Sequence, residues 1–171
     1  RHPADGRAPV GGAGRRGPGI LLSLLFIDTG ALAKRYLGET GSAWIRAQVA
    51  PAEGNIVIIS AITTIEMASL LARRIREGAL SRPGAATLED AFRLHASEEY
   101  LIAPLDGRVL DAARALVARH PLRTLDAIQL ASAQVTGTIL GETMTLISGD
   151  RVLLTAAIAE GLHADDPAAH S

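Results

Sequence analysis

Beyond residue 19 the chain alternates between short, nearly unbroken apolar runs and longer stretches with helical spacing. The runs are Ile20 to Ile27, Ile56 to Ile59, Tyr100 to Ala103 and Thr143 to Ile147, and consecutive apolar positions mark strands covered on both faces. Between them, Ala61 to Glu77 carries Ile62, Ile65, Ala68, Leu71, Ala72 and Ile75 on one helical face, with Gly78 as its stop. Further helices fit Ser42 to Val49, closed by Pro51, then Thr87 to Glu98, Gly107 to Arg119 and Leu125 to Val135. Arg151 to Glu160 completes the series, with Gly161 as its C-terminal cap. Strands alternating with helices predict an α/β protein built on a parallel sheet.

Residues 1–19 break this pattern. They are rich in Gly, Pro and Arg, lack apolar periodicity, and are expected to be disordered or an artefactual extension. Residues 20–167 form the expected single domain, followed by a flexible tail at 168–171. A chain of 171 residues can bury about 68–70 % of its unfolded surface, enough for a real core. The absence of cysteine excludes disulfides, thiolate zinc sites and a Cys nucleophile, leaving oxygen or imidazole for any metal. No apolar run approaches the roughly 18–20 residues that span a bilayer, so a cytoplasmic protein with no membrane partner is expected.

Charge shifts the picture toward a localised site. Of 17 basic and 18 acidic residues, four arginines and Asp5 lie in residues 1–19, which leaves 13 basic and 17 acidic residues in the body. Such a balance argues against holding nucleic acid on a broad basic face. Two Phe, two Tyr and one Trp are also too few for a base-stacking platform. If the protein acts on nucleic acid, a bound metal must supply much of the attraction.

Four acids stand where such a metal could sit. Asp28 follows the first apolar run directly, and Asp150 follows the run ending at Ile147 through Ser148 and Gly149. Either could equally be the N-cap of the next helix. Asp126 falls in a first helical turn, where its charge complements the macrodipole. Glu66, between Ile65 and Met67, falls in the second turn of a helix started by Ser60; it is either a solvated edge position or a charge that needs a partner. Ligands of open α/β sheets bind outside the carboxyl ends of the strands. Carboxylates gathered there repel and raise one another's pKa values unless a cation neutralises them. Oxygen ligands alone favour Mg²⁺ or Mn²⁺ over zinc.

Phe26-Ile27-Asp28-Thr29-Gly30-Ala31-Leu32, Thr64-Ile65-Glu66-Met67-Ala68, Leu125-Asp126-Ala127-Ile128-Gln129-Leu130-Ala131 and Ser148-Gly149-Asp150-Arg151-Val152-Leu153 resemble the four acidic motifs of PIN domains, most of all those of VapC-type toxins. The resemblance runs from about Leu24 to Pro167 and keeps the family's order. It implies a three-layer α/β/α PIN-like fold with a short, mostly parallel central sheet flanked by helices. It further implies a metal-dependent endoribonuclease in which Asp28, Glu66, Asp126 and Asp150 hold Mg²⁺ or Mn²⁺. Gly30 stands where relatives often have Ser, which leaves Thr29 as the nearer supporting hydroxyl, with Thr124 and Ser148 as weaker candidates of the same kind. VapC-type toxins act on structured RNA, are usually homodimers, and are silenced by a VapB-like antitoxin whose tail lies across the acidic site. Lys34, Arg35, Arg73, Arg74 and Arg76 are candidate RNA contacts, or simply basic residues complementing helix C-termini.

Other chemistries find little support. Gly11-Gly12-Ala13-Gly14 precedes any strand and cannot cradle phosphate, the histidines lack zinc-ligand spacing, and Ser60 and Ser148 lack a G-x-S-x-G setting. A receiver-like phosphoacceptor module would need a lysine at the site, and Lys34 is the only lysine. A PIN-fold protein with an RNA-processing or RNA- or protein-binding regulatory role is the alternative to a toxin. A basic region, a short apolar run and Ala31-Leu32-Ala33 also imitate a secretion signal. Cutting there would remove Asp28 and leave three acids unexplained, so Leu21 to Ile27 is expected to be a buried strand.

Overall fold

The computed structural model describes residues 23–170; the expected N-terminal extension and the first residues of the opening apolar run lie outside them. Five parallel strands form one sheet: β1 (Leu24–Ile27), β2 (Ile56–Ser60), β3 (Tyr100–Ala103), β4 (Thr145–Ile147) and β5 (His163–Asp165), in the order β3-β2-β1-β4-β5. β1 is therefore the central strand, as its apolar sequence requires. Seven helices connect and cover the sheet: α1 (Thr29–Ala33), α2 (Ser42–Gln48), α3 (Thr63–Arg76), α4 (Arg82–Glu98), α5 (Gly107–Arg119), α6 (Thr124–Leu140) and α7 (Arg151–Ala159).

Strand side chains alternate between faces, and this splits the core in two. Leu25 and Ile27 of β1, Val57 and Ile59 of β2 and Ile147 of β4 pack with Leu32, Ile45, Met67, Leu71 and Phe92 from α1 to α4. Phe26, Ile58 and Leu146 point the other way, onto Val109, Leu116, Leu130, Leu153 and Ala157 from α5, α6 and α7. The result is the three-layer α/β/α arrangement that the resemblance implies, on the parallel sheet expected from the alternation of elements.

Local differences from the sequence reading have identifiable causes. α4 begins at Arg82 rather than Thr87, because Ser81 caps it by accepting from Gly84 N–H and Pro83 is tolerated in the first turn. α6 continues past Val135 to Leu140; Gly137 is a close-packing position, where a Cβ would stand 2.9 Å from the Glu142 carbonyl oxygen. In α3 the buried stripe is Thr63, Met67 and Leu71, while Ile65 is 72 % exposed and Ala68 is also exposed. The helix starts two residues later than Ser60 suggests, with Ile62 at its N-cap, so Glu66 belongs to the first turn, not the second. Residues 168–170, expected to be a flexible tail, instead form part of a 3-10 turn (Pro167–His170) docked on α2. His170 stacks on Trp44 at 4.3 Å and bonds Asp165 through Nε2 (2.7 Å). Gly41, at φ 84°, permits this approach, since a Cβ would lie 2.5 Å from the Pro167 carbonyl oxygen.

Candidate active site

From β1 the sheet grows through β2 to β3 on one side and then returns to β4 on the other. The order therefore reverses between β1 and β4, the kind of switch point at which open α/β sheets bind ligands. Asp28 and Asp150 flank it. Asp28 leaves β1 with its N–H donating to the Ile147 carbonyl of β4 (3.0 Å), and Asp150 follows β4 two residues after Ser148. Glu66 enters from the first turn of α3 and Asp126 from the first turn of α6. All four line one open cleft of about 870 Å³, together with Thr29, Gly30, Thr124, Gly149 and Gln129.

Capping and site placement prove to be one arrangement at the two aspartates, not alternatives. Asp28 is the N-cap of α1, its Oδ1 accepting from Ala31 N–H (2.6 Å), and its Oδ2 accepts from the Ser148 hydroxyl. Ser148 Oγ in turn accepts from Asp150 N–H (3.0 Å). This fully buried hydroxyl thus ties the ends of β1 and β4 together. Asp150 caps α7 through Oδ1, which accepts from the N–H groups of Val152 (2.8 Å) and Leu153 (3.1 Å), and its Oδ2 receives no hydrogen bond from the described residues. Glu66 Oε2 accepts from Thr29 Oγ1 (2.6 Å) and from Gln129 Nε2 (2.8 Å).

These acids are not electrostatically at ease. Burial pushes the Asp28 carboxyl up from 3.8 to about 6; the bonds from Ser148 and Ala31 oppose the rise, and the charges of Glu66 and Asp126 add to it. Asp126 is also raised, first by burial and then by Asp150, with Glu66 contributing and Arg123 opposing. At the same time, no three acidic or imidazole side chains among the described residues stand close enough together to ligate one ion. Asp28 and Asp150 are turned toward their caps, and Glu66 toward Thr29 and Gln129.

Of the basic candidates, Lys34 and Arg73 line the cleft. Lys34 also donates to the Thr40 carbonyl (3.0 Å) and pairs with Glu39 (3.5 Å). Arg35, Arg74 and Arg76 do not line it. Arg35 is engaged by Glu99 (2.7 Å) and the Tyr100 hydroxyl, and Arg74 by Glu39 (2.7 Å). Gln129, Arg123, Ser69 and Leu70 also line the cleft and are not among the residues expected there from the sequence. Gln129 was concealed inside the apolar run of α6, although its position three residues after Asp126 puts both on one helical face. Arg123 precedes the helix expected from Leu125; it is exposed at the N-cap of α6 and makes no ion pair within 4 Å among the described residues.

The fold has close counterparts among solved structures. A toxin-antitoxin complex from Klebsiella pneumoniae is 22 % identical with a TM-score of 0.56, over 85 % of this chain and 98 % of its own. VapBC2 from Rickettsia felis, bound to a DNA fragment from its promoter, is 11 % identical with a TM-score of 0.59, over 84 % and 98 %. PAE2754 from Pyrobaculum aerophilum is 20 % identical with a TM-score of 0.55, over 84 % and 83 %. At these identities the likeness speaks to the fold alone. Curated protein sequences gave no match. The profile of the PIN domain, however, matches residues 25–160, a span that holds all four acids, and on that match the chain belongs to the PIN domain family.

Proposed function

We propose that this protein is a metal-dependent endoribonuclease of the VapC toxin type. The observation that carries the reading is the set of four carboxylates at the sheet's switch point, two of them held above their ordinary pKa by burial and by one another. Acids so placed fit a divalent cation, and their all-oxygen chemistry fits Mg²⁺ or Mn²⁺. Mg²⁺ usually keeps several waters and takes only one or two carboxylates directly, so the spacing of these acids is compatible with it. Asp28, Glu66, Asp126 and Asp150 are the residues that would hold it. When bound, such an ion supplies an activated water and offsets charge on the phosphate and the leaving 3′ oxygen.

The chain's own residues do the rest. Ser148 and the Ala31 N–H fix the Asp28 carboxylate, while Thr29 and Gln129 fix that of Glu66. Thr124, exposed at the start of α6, is the weakest of the supporting hydroxyls. Lys34, Arg73 and Arg123 on the cleft walls meet the phosphates of the RNA backbone. In this reading the partners are RNA, a second copy of the chain, and a VapB-like antitoxin that covers the acidic cleft. The protein works in the cytoplasm; among the described residues no helix is long and apolar enough to cross a membrane.

Purified protein should cleave RNA with Mg²⁺ or Mn²⁺ and lose that activity on chelation. Asp28→Asn and Asp150→Asn should each abolish cleavage in folded protein, the latter because Asn still offers an oxygen to cap α7. Unchanged cleavage in both variants would sink the assignment. A PIN-fold protein with an RNA-processing or RNA- or protein-binding regulatory role is the second reading, favoured by the lack of three converging ligands among the described residues. Intact RNA after long incubation, alongside measurable RNA or protein binding, would select it.

A further inference from the structure

Gln129 lies three residues after Asp126 on α6 and is 3 % exposed. Its Nε2 donates to Glu66 Oε2 at 2.8 Å and lies 3.1 Å from Thr29 Oγ1 and 3.3 Å from Thr63 Oγ1. Its Oε1 has no hydrogen-bond partner, the only such buried side-chain atom among the described residues. Turning the amide over would not help, because it would set a carbonyl oxygen against the Glu66 carboxylate. A buried acceptor left alone is costly, and Leu or Met would fill this place without it. What the carboxamide gains in return is one charge-assisted bond to Glu66.

Two donors converge on the same oxygen of Glu66, since Thr29 Oγ1 also donates to Oε2 at 2.6 Å. Glu66 Oε1 receives no bond from the described residues. We propose that Gln129 is a positioning residue that pins Glu66 through Oε2 and so keeps Oε1 available to a divalent cation. The proposal rests on the metal-binding part of the reading above and not on RNA cleavage. Gln129 itself holds no ion; it acts through Glu66. Partners that orient a metal-ligating carboxylate typically contribute tenfold to a hundredfold in affinity.

The test measures Mn²⁺ binding to the full chain without RNA, by electron paramagnetic resonance of the free ion, with thermal unfolding in parallel. Gln129→Met, which keeps the bulk and removes the donor, should weaken Mn²⁺ binding about tenfold or more while the metal-free protein stays folded. In a Glu66→Gln background the same change should have no further effect. Gln129→Asn, too short to reach Glu66, should reproduce the loss and serves if the Met variant fails to fold. Unchanged affinity in a folded Gln129 variant overturns the proposal, as does an equal loss in the Glu66→Gln background, which would mark a merely structural role. Wild-type protein that binds Mn²⁺ but leaves RNA intact overturns the nuclease reading and leaves this comparison decisive. Wild-type protein that binds no Mn²⁺ overturns both.

Discussion

Asp28→Asn should make the metal-free protein more stable at neutral pH while removing its activity. The Asp28 carboxyl titrates at about 6 in the folded chain against 3.8 for an unperturbed aspartate, which corresponds to about 3 kcal/mol against the ionised form. Because the folded state holds this proton to higher pH than the unfolded chain, stability is greatest below about pH 4 and declines as pH rises through about 6. Asparagine carries no charge to bury and still accepts from Ala31 N–H. Its amide nitrogen takes the place of the oxygen that accepts from the Ser148 hydroxyl, which removes that bond at a cost of about 1–1.5 kcal/mol, so the net gain at pH 7.5 is about 1–2 kcal/mol. For a chain of this size that is a rise of about 2–8 °C in Tm. Thermal and urea unfolding in EDTA from pH 4 to 8 should find the two proteins within about 1 kcal/mol near pH 4 and the variant more stable above pH 6. Saturating Mg²⁺ should then raise the Tm of the wild type more than that of the variant. A variant no more stable at pH 7.5, or a difference independent of pH, would refute the claim that burial of this charge is unrelieved.

Ser148→Ala removes the donor to Asp28 and the acceptor for Asp150 N–H together, and should lower stability by about 1–3 kcal/mol in urea unfolding. Glu160 accepts two bonds from Arg119 (3.0 and 2.9 Å), with His120 at 2.6 Å and Gln134 at 3.1 Å, and these partners bring its carboxyl down to about 2. Its contribution is present above about pH 4.5 and lost as pH falls toward 2. Glu160→Gln should therefore flatten the acid limb of a stability curve measured by urea midpoint. Arg123→Ala should weaken RNA binding at low salt and reduce the salt slope by about one. Gly41→Ala combines a φ of 84° with a Cβ 2.5 Å from the Pro167 carbonyl oxygen, and should cost about 1–3 kcal/mol, read by thermal unfolding.

How much of this was legible in the sequence depended on whether one residue or several carried the signal. β1, β2 and β4 could be read because a strand buried on both faces is written as a continuous apolar run. β5 could not, since His163-Ala164-Asp165 contains one small apolar residue and holds its place as an edge strand through backbone pairing with β4. The four acids were found as a set because each follows or faces the end of a strand, a property of order along the chain. Their orientations were not, because the turning of Glu66 toward Gln129 depends on contacts between residues 63 apart. The exposed face of α3 was misjudged for a related reason. Periodicity runs the stripe through Ile65 and Ala68 to Leu71, whereas packing against β2, α1 and α4 buries Thr63, Met67 and Leu71.

The stack of His170 on Trp44 gives the molecule a built-in reporter. Trp44 is the only tryptophan in the chain, so intrinsic emission excited at the indole band comes from a single place, where the C-terminal turn meets α2. That signal follows undocking of the turn first and global unfolding second. Unfolding curves from tryptophan emission and from far-ultraviolet circular dichroism should then coincide only if the turn and the sheet melt as one unit. Separation between them would measure how independently the last four described residues leave the domain.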